Sequence, residues 1–236
     1  MNFIDSSIMS CFQAVSNKSE IFDNIVVSLI SNSLVKGGII CAMCWWLWFR
    51  HEDPDTGVRE RITLLIGSSF IALLVGRFLA VAMPYRIRPI HDPRIDFKVP
   101  YGMDTVLLSD WSAFPSDHAV FFSALAAGLL FVSKRMGILA LAWVFIFCFL
   151  PRMYVGLHYP TDMIAGALIG GCYASLVMTS KTGLNLVRAP MRWLHKYPSW
   201  FYAFSFILCL EISEMFDSVR KTGILLLRAL RTVFLG

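Results

Sequence analysis

Charge is what this chain has least of: charged residues fill 16% of its 236 positions, against 57% that are hydrophobic, and the mean hydropathy is +0.64. A soluble domain carries about 25% charged residues, so this composition excludes an ordinary one and places the chain in a bilayer. The pattern of a cleavable signal peptide is also missing. Asp5, Lys18, Glu20 and Asp23 interrupt the first thirty residues, and no basic stretch there leads into an unbroken apolar core. A disulfide framework is not implied either, because Cys11, Cys41, Cys44, Cys148, Cys172 and Cys209 are scattered and mostly sit in apolar stretches, where a thiol behaves as a small hydrophobe. Cys41 and Cys44 form a lone CxxC directly followed by Trp45, Trp46 and Trp48, without a second ligand pair, which favours packing over a metal or redox role. There is no internal repeat and no low-complexity stretch.

A net charge of +5 and a pI near 9.0 can signal nucleic acid, but here the Lys and Arg residues sit mainly in short loops between apolar runs. That is a membrane pattern, and no nucleic-acid partner is expected. A spanning helix needs about 20 mainly apolar residues. Runs bounded by charge occur at 34–49, 62–83, 119–132, 138–150 and 163–178, the shorter ones extended by neutral residues. Residues 3–30 break apolar positions with polar ones at helical spacing, which predicts a helix lying in the interface. Residues 200–210 form a short apolar run followed by Glu211 and Glu214, either a sixth span or a re-entrant segment, and 218–235 read as a basic amphipathic helix carrying Arg220, Lys221, Arg228 and Arg231. The expected architecture is an all-α integral membrane bundle of five or six transmembrane helices with interfacial amphipathic helices.

The longest connection, 84–114, is rich in Pro, Asp and Arg, and long loops tend to carry function. An up-and-down path puts the end of the second run, the start of the third, the end of the fourth and the start of the fifth on one face. Those ends hold Arg86 and Arg88, then Ser116, Asp117 and His118, then Arg152, then His158 and Asp162. Phosphoryl transfer needs fixed positive charge, an in-line nucleophile and an acid for the leaving oxygen. Arg88 and Arg152 suit bidentate binding of phosphate oxygens. Ser116 is predicted at a helix N-terminus, where free N–H groups favour an anion. Pro160 suits the first helical position, which puts Asp162 at the third, able to reach back to the residues before the helix. His158 then reads as nucleophile, Asp162 as the group that orients its ring, and His118 as general acid. Each residue also has a plainer reading: Asp162 as a helix-start acid, Arg152 as an interfacial anchor, the two histidines as interfacial residues. Two His and one Asp can bind a metal, but the neighbouring arginines repel a divalent cation, and no metal or other cofactor is expected.

These residues resemble the type 2 phosphatidic acid phosphatase family, whose motifs have the form KxxxxxxRP, PSGH and SRxxxxxHxxxD. The second stands here as Pro115-Ser116-Asp117-His118, and the third as Pro151-Arg152, five residues, His158, three residues, Asp162. The resemblance implies one domain over 1–236, with motifs from about 77 to 162 and a variable extension over 197–236. It assigns Arg88, Ser116 and Arg152 to phosphate, His118 to acid, His158 to nucleophile and Asp162 to its partner. Where the family has its first Lys this chain has Val81, and Arg77 or Arg86 are the candidates to replace it. Asp117 stands for the family's Gly, able to repel phosphate or to orient an arginine, and Pro151 stands for Ser. The PSDH form is similar to bacterial undecaprenyl-diphosphate phosphatases of the family. The implied activity is hydrolysis of a lipid-linked phosphate or diphosphate through a phosphohistidine, at a site facing the outside of the plasma membrane. A phosphatidic acid or phosphatidylglycerophosphate phosphatase, a lipid phosphotransferase, and a membrane protein that binds or moves a lipid phosphate without reaction are the alternatives. Nine basic residues fall on the opposite face: Arg50, Arg59, Arg61, Lys134, Arg135, Lys181, Arg188, Arg192 and Lys196. Basic loops favour the inside, and this supports the implied orientation only if 200–216 does not span, because otherwise the basic tail joins the site face.

Overall fold

The computed structural model describes residues 2–50, 57–106, 110–223 and 225, and every regular element among them is helical. Two N-terminal helices, α1 (Phe3–Val15) and α2 (Glu20–Ser31), precede α3 (Leu34–Arg50) and α4 (Val58–Ala82). After the loop come α5 (Asp117–Leu130), α6 (Lys134–Tyr154) and α7 (Pro160–Thr179), then the short α8 (Lys181–Leu186) and α9 (Arg188–Lys196), and finally α10 (Pro198–Ser213) and α11 (Asp217–Gly223). Helices α4, α6 and α7 are long and apolar enough to cross a membrane. The pairs α2 with α3 and α10 with α11 meet the same criterion but are bent by 64° and 90°. Each of the five apolar runs found in the sequence falls within one helix or reaches a residue or two past its end.

Local signals explain where the helices begin. Asn2, Ser19, Ser116, Ser133 and Ser180 each accept a backbone N–H of the following turn through the side chain, satisfying donors that a helix start leaves free. The centre of the bundle is α5, short at 14 residues but buried on nearly every side. Helix α7 lies against it through Gly166 and Gly170. A Cβ on Gly166 would stand 2.7 Å from the Ala119 Cβ, and one on Gly170 would stand 2.9 Å from the Ala124 nitrogen. Small residues four apart let helix backbones approach closely in a bilayer, and this contact sets the N-termini of α5 and α7 side by side.

Helix α10 answers the question the sequence left open. Its first turns stack Phe201 on Trp48 and place the Tyr202 hydroxyl 3.3 Å from the Trp48 indole nitrogen, near the end of α3. Its last turn abuts Gly37, near the start of α3. The helix therefore runs antiparallel to α3 over the height of the bundle, and α11 turns off on the face that holds the N-termini of α5 and α7. The described part of the expected tail helix ends at Gly223 and Leu225; Arg228 and Arg231 lie outside the described residues.

Residues 3–30 depart from the expectation of one interfacial helix. They form two helices with a break at 16–19, and Asp5 and Asp23 are fully buried. Asp5 accepts from the Thr161 N–H (3.0 Å), the Thr161 hydroxyl (2.9 Å) and Arg86 (2.6 Å). Asp23 accepts from the Asn17 and Tyr101 N–H groups and from the Tyr154 hydroxyl. An amphipathic spacing gives no sign of this, because Asp5 and Asp23 are turned onto α6, α7 and the loop while Ser7, Ser10, Glu20, Asn24 and Ser28 stay exposed. Cys41 and Cys44 are buried in the core, the Cys41 thiol 3.7 Å from the Cys209 carbonyl.

Candidate active site

A cavity of about 470 Å³ opens on the face where the four helix ends converge. Its wall includes Arg77, Arg88, Asp117, His118, Arg152 and His158, all singled out from the sequence. Five parts of the chain supply them: α4, the loop 84–114, the N-terminus of α5, the last turn of α6, and the five residues before α7.

His158 is buried, 3% exposed. Its Nδ1 donates to the Ala113 carbonyl at 2.9 Å, which fixes the tautomer and leaves Nε2 without a proton, as an acceptor. Nε2 faces the Arg88 guanidinium at 3.3 Å and the Ser116 hydroxyl at 3.4 Å. Burial first, and the Arg88 charge second, push this histidine well below the ordinary range, so the ring is neutral at pH 7 with a lone pair on Nε2. Arg88 is equally fixed. Its Nε donates to the Trp111 carbonyl (3.1 Å), Nη1 to the Leu157 carbonyl (2.7 Å) and Nη2 to the Ser112 carbonyl (3.2 Å). Ser116 is the N-cap of α5, accepting from the Ala119 N–H at 3.3 Å, as its place in the sequence predicts. Arg152 is buried and donates to the Cys148 carbonyl at 3.0 Å, one turn back on its own helix.

Asp162 and His158 stand within ion-pair distance but share no direct hydrogen bond. Asp162 Oδ2 lies 3.9 Å from Nδ1, too far for a hydrogen bond, and accepts instead from the Tyr159 N–H at 2.8 Å. Its other oxygen takes an ion pair from Arg86. Pro160 and Asp162 do occupy the first and third positions of α7, so the carboxylate is spent on capping the helix and clamping Arg86, while a backbone carbonyl aims the ring. His118 has the carboxylate partner instead. Its Nδ1 donates to Asp117 Oδ1 at 2.9 Å, and Asp117 Oδ2 lies 3.9 Å from Arg77 Nε. Among the described residues, no group of three or more His, Cys, Asp or Glu is arranged to hold a metal ion.

The model of the PAP2 superfamily matches residues 61–185, just over half of the chain, and those residues hold every histidine and arginine just described. The chain belongs to the PAP2 superfamily. Undecaprenyl-diphosphatase BcrC of Bacillus subtilis (strain 168) is 25% identical over 166 residues, covering 69% of this chain and 76% of that protein. Lipid A 1-phosphatase of Rhizobium etli is 31% identical over 137 residues, 56% of this chain and 54% of that protein. The undecaprenyl-diphosphatase of Sulfolobus acidocaldarius is 36% identical over 124 residues, 52% of this chain and 56% of that protein. The chain thus spans about half the length of the last two. No solved structure matches it.

Against the PAP2 motifs, the first is the one this fold alters. Val81 is 78% exposed on the outer side of α4. Arg77, one turn earlier, lines the cavity, whereas Arg86 does not. Arg86 points the other way, held by Asp5, Asp162 and Thr161 and stacked 4.2 Å over the Tyr159 ring. Its candidacy as a phosphate ligand is corrected: it is a clamp between α1, the loop and α7. Lys36, Trp111 and Ser112, with Glu214, Asp217, Arg220 and Lys221 of the C-terminal turn, line the same cavity without having been singled out as site residues. For Lys36 a signal existed, since a lone lysine in an apolar run is costly in a bilayer and marks function.

Proposed function

We propose that this PAP2 membrane protein is a lipid phosphatase acting through a phosphohistidine at His158, with undecaprenyl diphosphate the favoured substrate. The observation that carries the reading is the unprotonated Nε2 of a buried, neutral histidine facing a guanidinium and a helix-cap hydroxyl inside a cationic cavity. The substrate choice follows the relatives named for undecaprenyl diphosphate and the charge of the cavity. Lys36, Arg77, Arg88, Arg152, Arg220 and Lys221 face three carboxylates, Asp117, Glu214 and Asp217, leaving three net positive charges with both histidines neutral. That balance suits a diphosphate ester, which carries about three negative charges when fully ionised.

In the first step the Nε2 lone pair attacks the terminal phosphorus. The N–P bond forms as the P–O bond to the bridging oxygen breaks, and that oxygen takes the Nε2 proton that His118, neutral in the empty cavity, picks up when the anionic substrate binds. Asp117 holds the Nδ1–H of His118 throughout, so the acid is aimed by the residue that departs from the family glycine. Arg88, Ser116 and Arg152 bind the equatorial oxygens, where charge develops. In the second step water attacks the phosphohistidine, giving its proton to the now neutral His118, and phosphate leaves. A lipid fits this geometry, because a headgroup at the helix ends can reach the cavity while its tail stays between helices. The alternative of bare lipid-phosphate binding gives no reason for a fixed tautomer.

The site is proposed to face the outside of the plasma membrane, within one catalytic domain that includes the C-terminal turn. This reading rests on the family resemblance, since basic residues stand on both faces once Arg220 and Lys221 join the site face.

The test is phosphate release from undecaprenyl diphosphate, phosphatidic acid and phosphatidylglycerophosphate by the purified protein in detergent with EDTA, alongside His158→Ala. Release from the diphosphate that persists with EDTA and is lost in the variant is the expected result. Full turnover by His158→Ala sinks the mechanism, and transfer to an added hydroxyl acceptor in place of phosphate release makes the protein a phosphotransferase.

A further inference from the structure

The cation missing from the first motif has a counterpart elsewhere in the fold. Lys36 lines the cavity from α3, a helix that ends before residue 61, where the match to the family model begins. Two local features bring it there. Residues Leu34–Gly38 form a π-helix, a rare i→i+5 turn that is frequent at functional sites. Gly37 lets this turn lie on the backbone of α10, since an added Cβ would stand 2.6 Å from the Ser213 Cα.

The charge environment indicates what Lys36 is for. The other cations of the cavity have protein partners: Arg77 reaches Asp117 and the Met215 carbonyl, Arg88 its three carbonyls, Arg152 the Cys148 carbonyl, and Arg220 and Lys221 Asp217. The Lys36 ammonium has no hydrogen-bond or ion-pair partner among the described residues. It is close enough to act electrostatically on Arg152 and His118, and on the carboxylates Asp217 and Glu214, which do not reach ion-pair distance of it. Like charges sharing one cavity repel, and an anion placed among them removes the repulsion. His118 marks the leaving-group side, because it protonates the departing oxygen, so the anion beside Lys36 is the phosphate that stays on the lipid.

We propose that Lys36, carried into the cavity by the π-turn of α3, is a substrate-binding residue that takes the place of the motif lysine and holds the lipid-side phosphate of a diphosphate. This rests on the phosphatase reading above. It also places the substitute on a different helix from the one the motif uses. On α4 the position next to Val81 that faces the cavity is Ala80.

The experiment measures kcat and KM on undecaprenyl diphosphate for the wild type, Lys36→Met, Lys36→Arg and the double variant Lys36→Met with Ala80→Lys. Inorganic diphosphate and inorganic phosphate serve as competitive probes. A charge-assisted contact is worth about tenfold to hundredfold in affinity. Lys36→Met is therefore expected to lower kcat/KM at least about tenfold and to weaken inhibition by diphosphate by a similar factor, with phosphate inhibition changed by less than about threefold. Lys36→Arg should stay within about threefold of wild type, and Ala80→Lys should return part of the loss. An unchanged kcat/KM in Lys36→Met overturns the proposal, and so does equal weakening of both inhibitors. Lys36→Gln replaces Lys36→Met if the latter does not elute as a folded protein. A silent wild type fails the phosphatase reading instead, a result distinct from a Lys36 variant that equals an active wild type.

Discussion

His158 and Asp162 sit four residues apart at the start of α7, and the spacing suggests a direct pair. The structure separates their duties: a main-chain carbonyl at residue 113 aims the imidazole, and the carboxylate caps the helix and binds Arg86. This makes a prediction that differs from a triad-like arrangement. Asp162→Asn keeps an acceptor for the Tyr159 N–H and loses the charge facing Arg86, so kcat should fall only about tenfold. Removing a carboxylate that directly holds a catalytic histidine costs about 10⁴ in kcat. Steady-state turnover of the purified variant separates the two, and a loss near 10⁴ would make Asp162 the ring's direct partner after all.

At the level of elements, the N-terminal helices act as a brace rather than as a float on the membrane surface. Asp5 ties α1 to the first turn of α7 and to Arg86, and Asp23 ties α2 to Tyr154 at the end of α6. Removing one partner of a buried, hydrogen-bonded ion pair costs about 3 kcal/mol. Asp5→Ala should lower the melting temperature in detergent by about 5–10 °C and reduce turnover, because the strand that carries His158 loses its anchor. A melting curve that overlays the wild type would show that α1 contributes no such support. Much of the arrangement was legible in the chain: Ser116 as a cap, Pro160 and Asp162 at their helical positions, and the convergence of four helix ends. What escaped was of one physical kind. Asp5 and Asp23 read as the polar face of an amphipathic helix, because whether a carboxylate meets water or Arg86 depends on how two distant segments dock. The Ala113 carbonyl was invisible for a related reason, since a backbone acceptor has no residue identity. Val81 failed as a lysine site because a one-residue change of register on α4 turns its side chain to the outside while Ala80 faces in.

For the molecule as a whole, orientation has a direct check. In a variant with Cys11 and Cys172, the two exposed cysteines, changed to Ala, Asp96→Cys lies on the site face and Lys134→Cys at the opposite helix ends. A membrane-impermeant maleimide should label the first in intact cells and the second only after permeabilisation, and the reverse pattern would turn the site inward. The cavity itself is built from both ends of the chain. The family signature supplies the reacting histidines and their arginines, but Lys36 comes from before it and Glu214, Asp217, Arg220 and Lys221 from after it. The cavity is therefore walled by separate parts of the chain. Two proteins can keep the same reaction centre and diverge in what they accept by exchanging roughly the first forty and last forty residues, and a chimaera built at those seams is a practical route to retargeting the enzyme to a different headgroup.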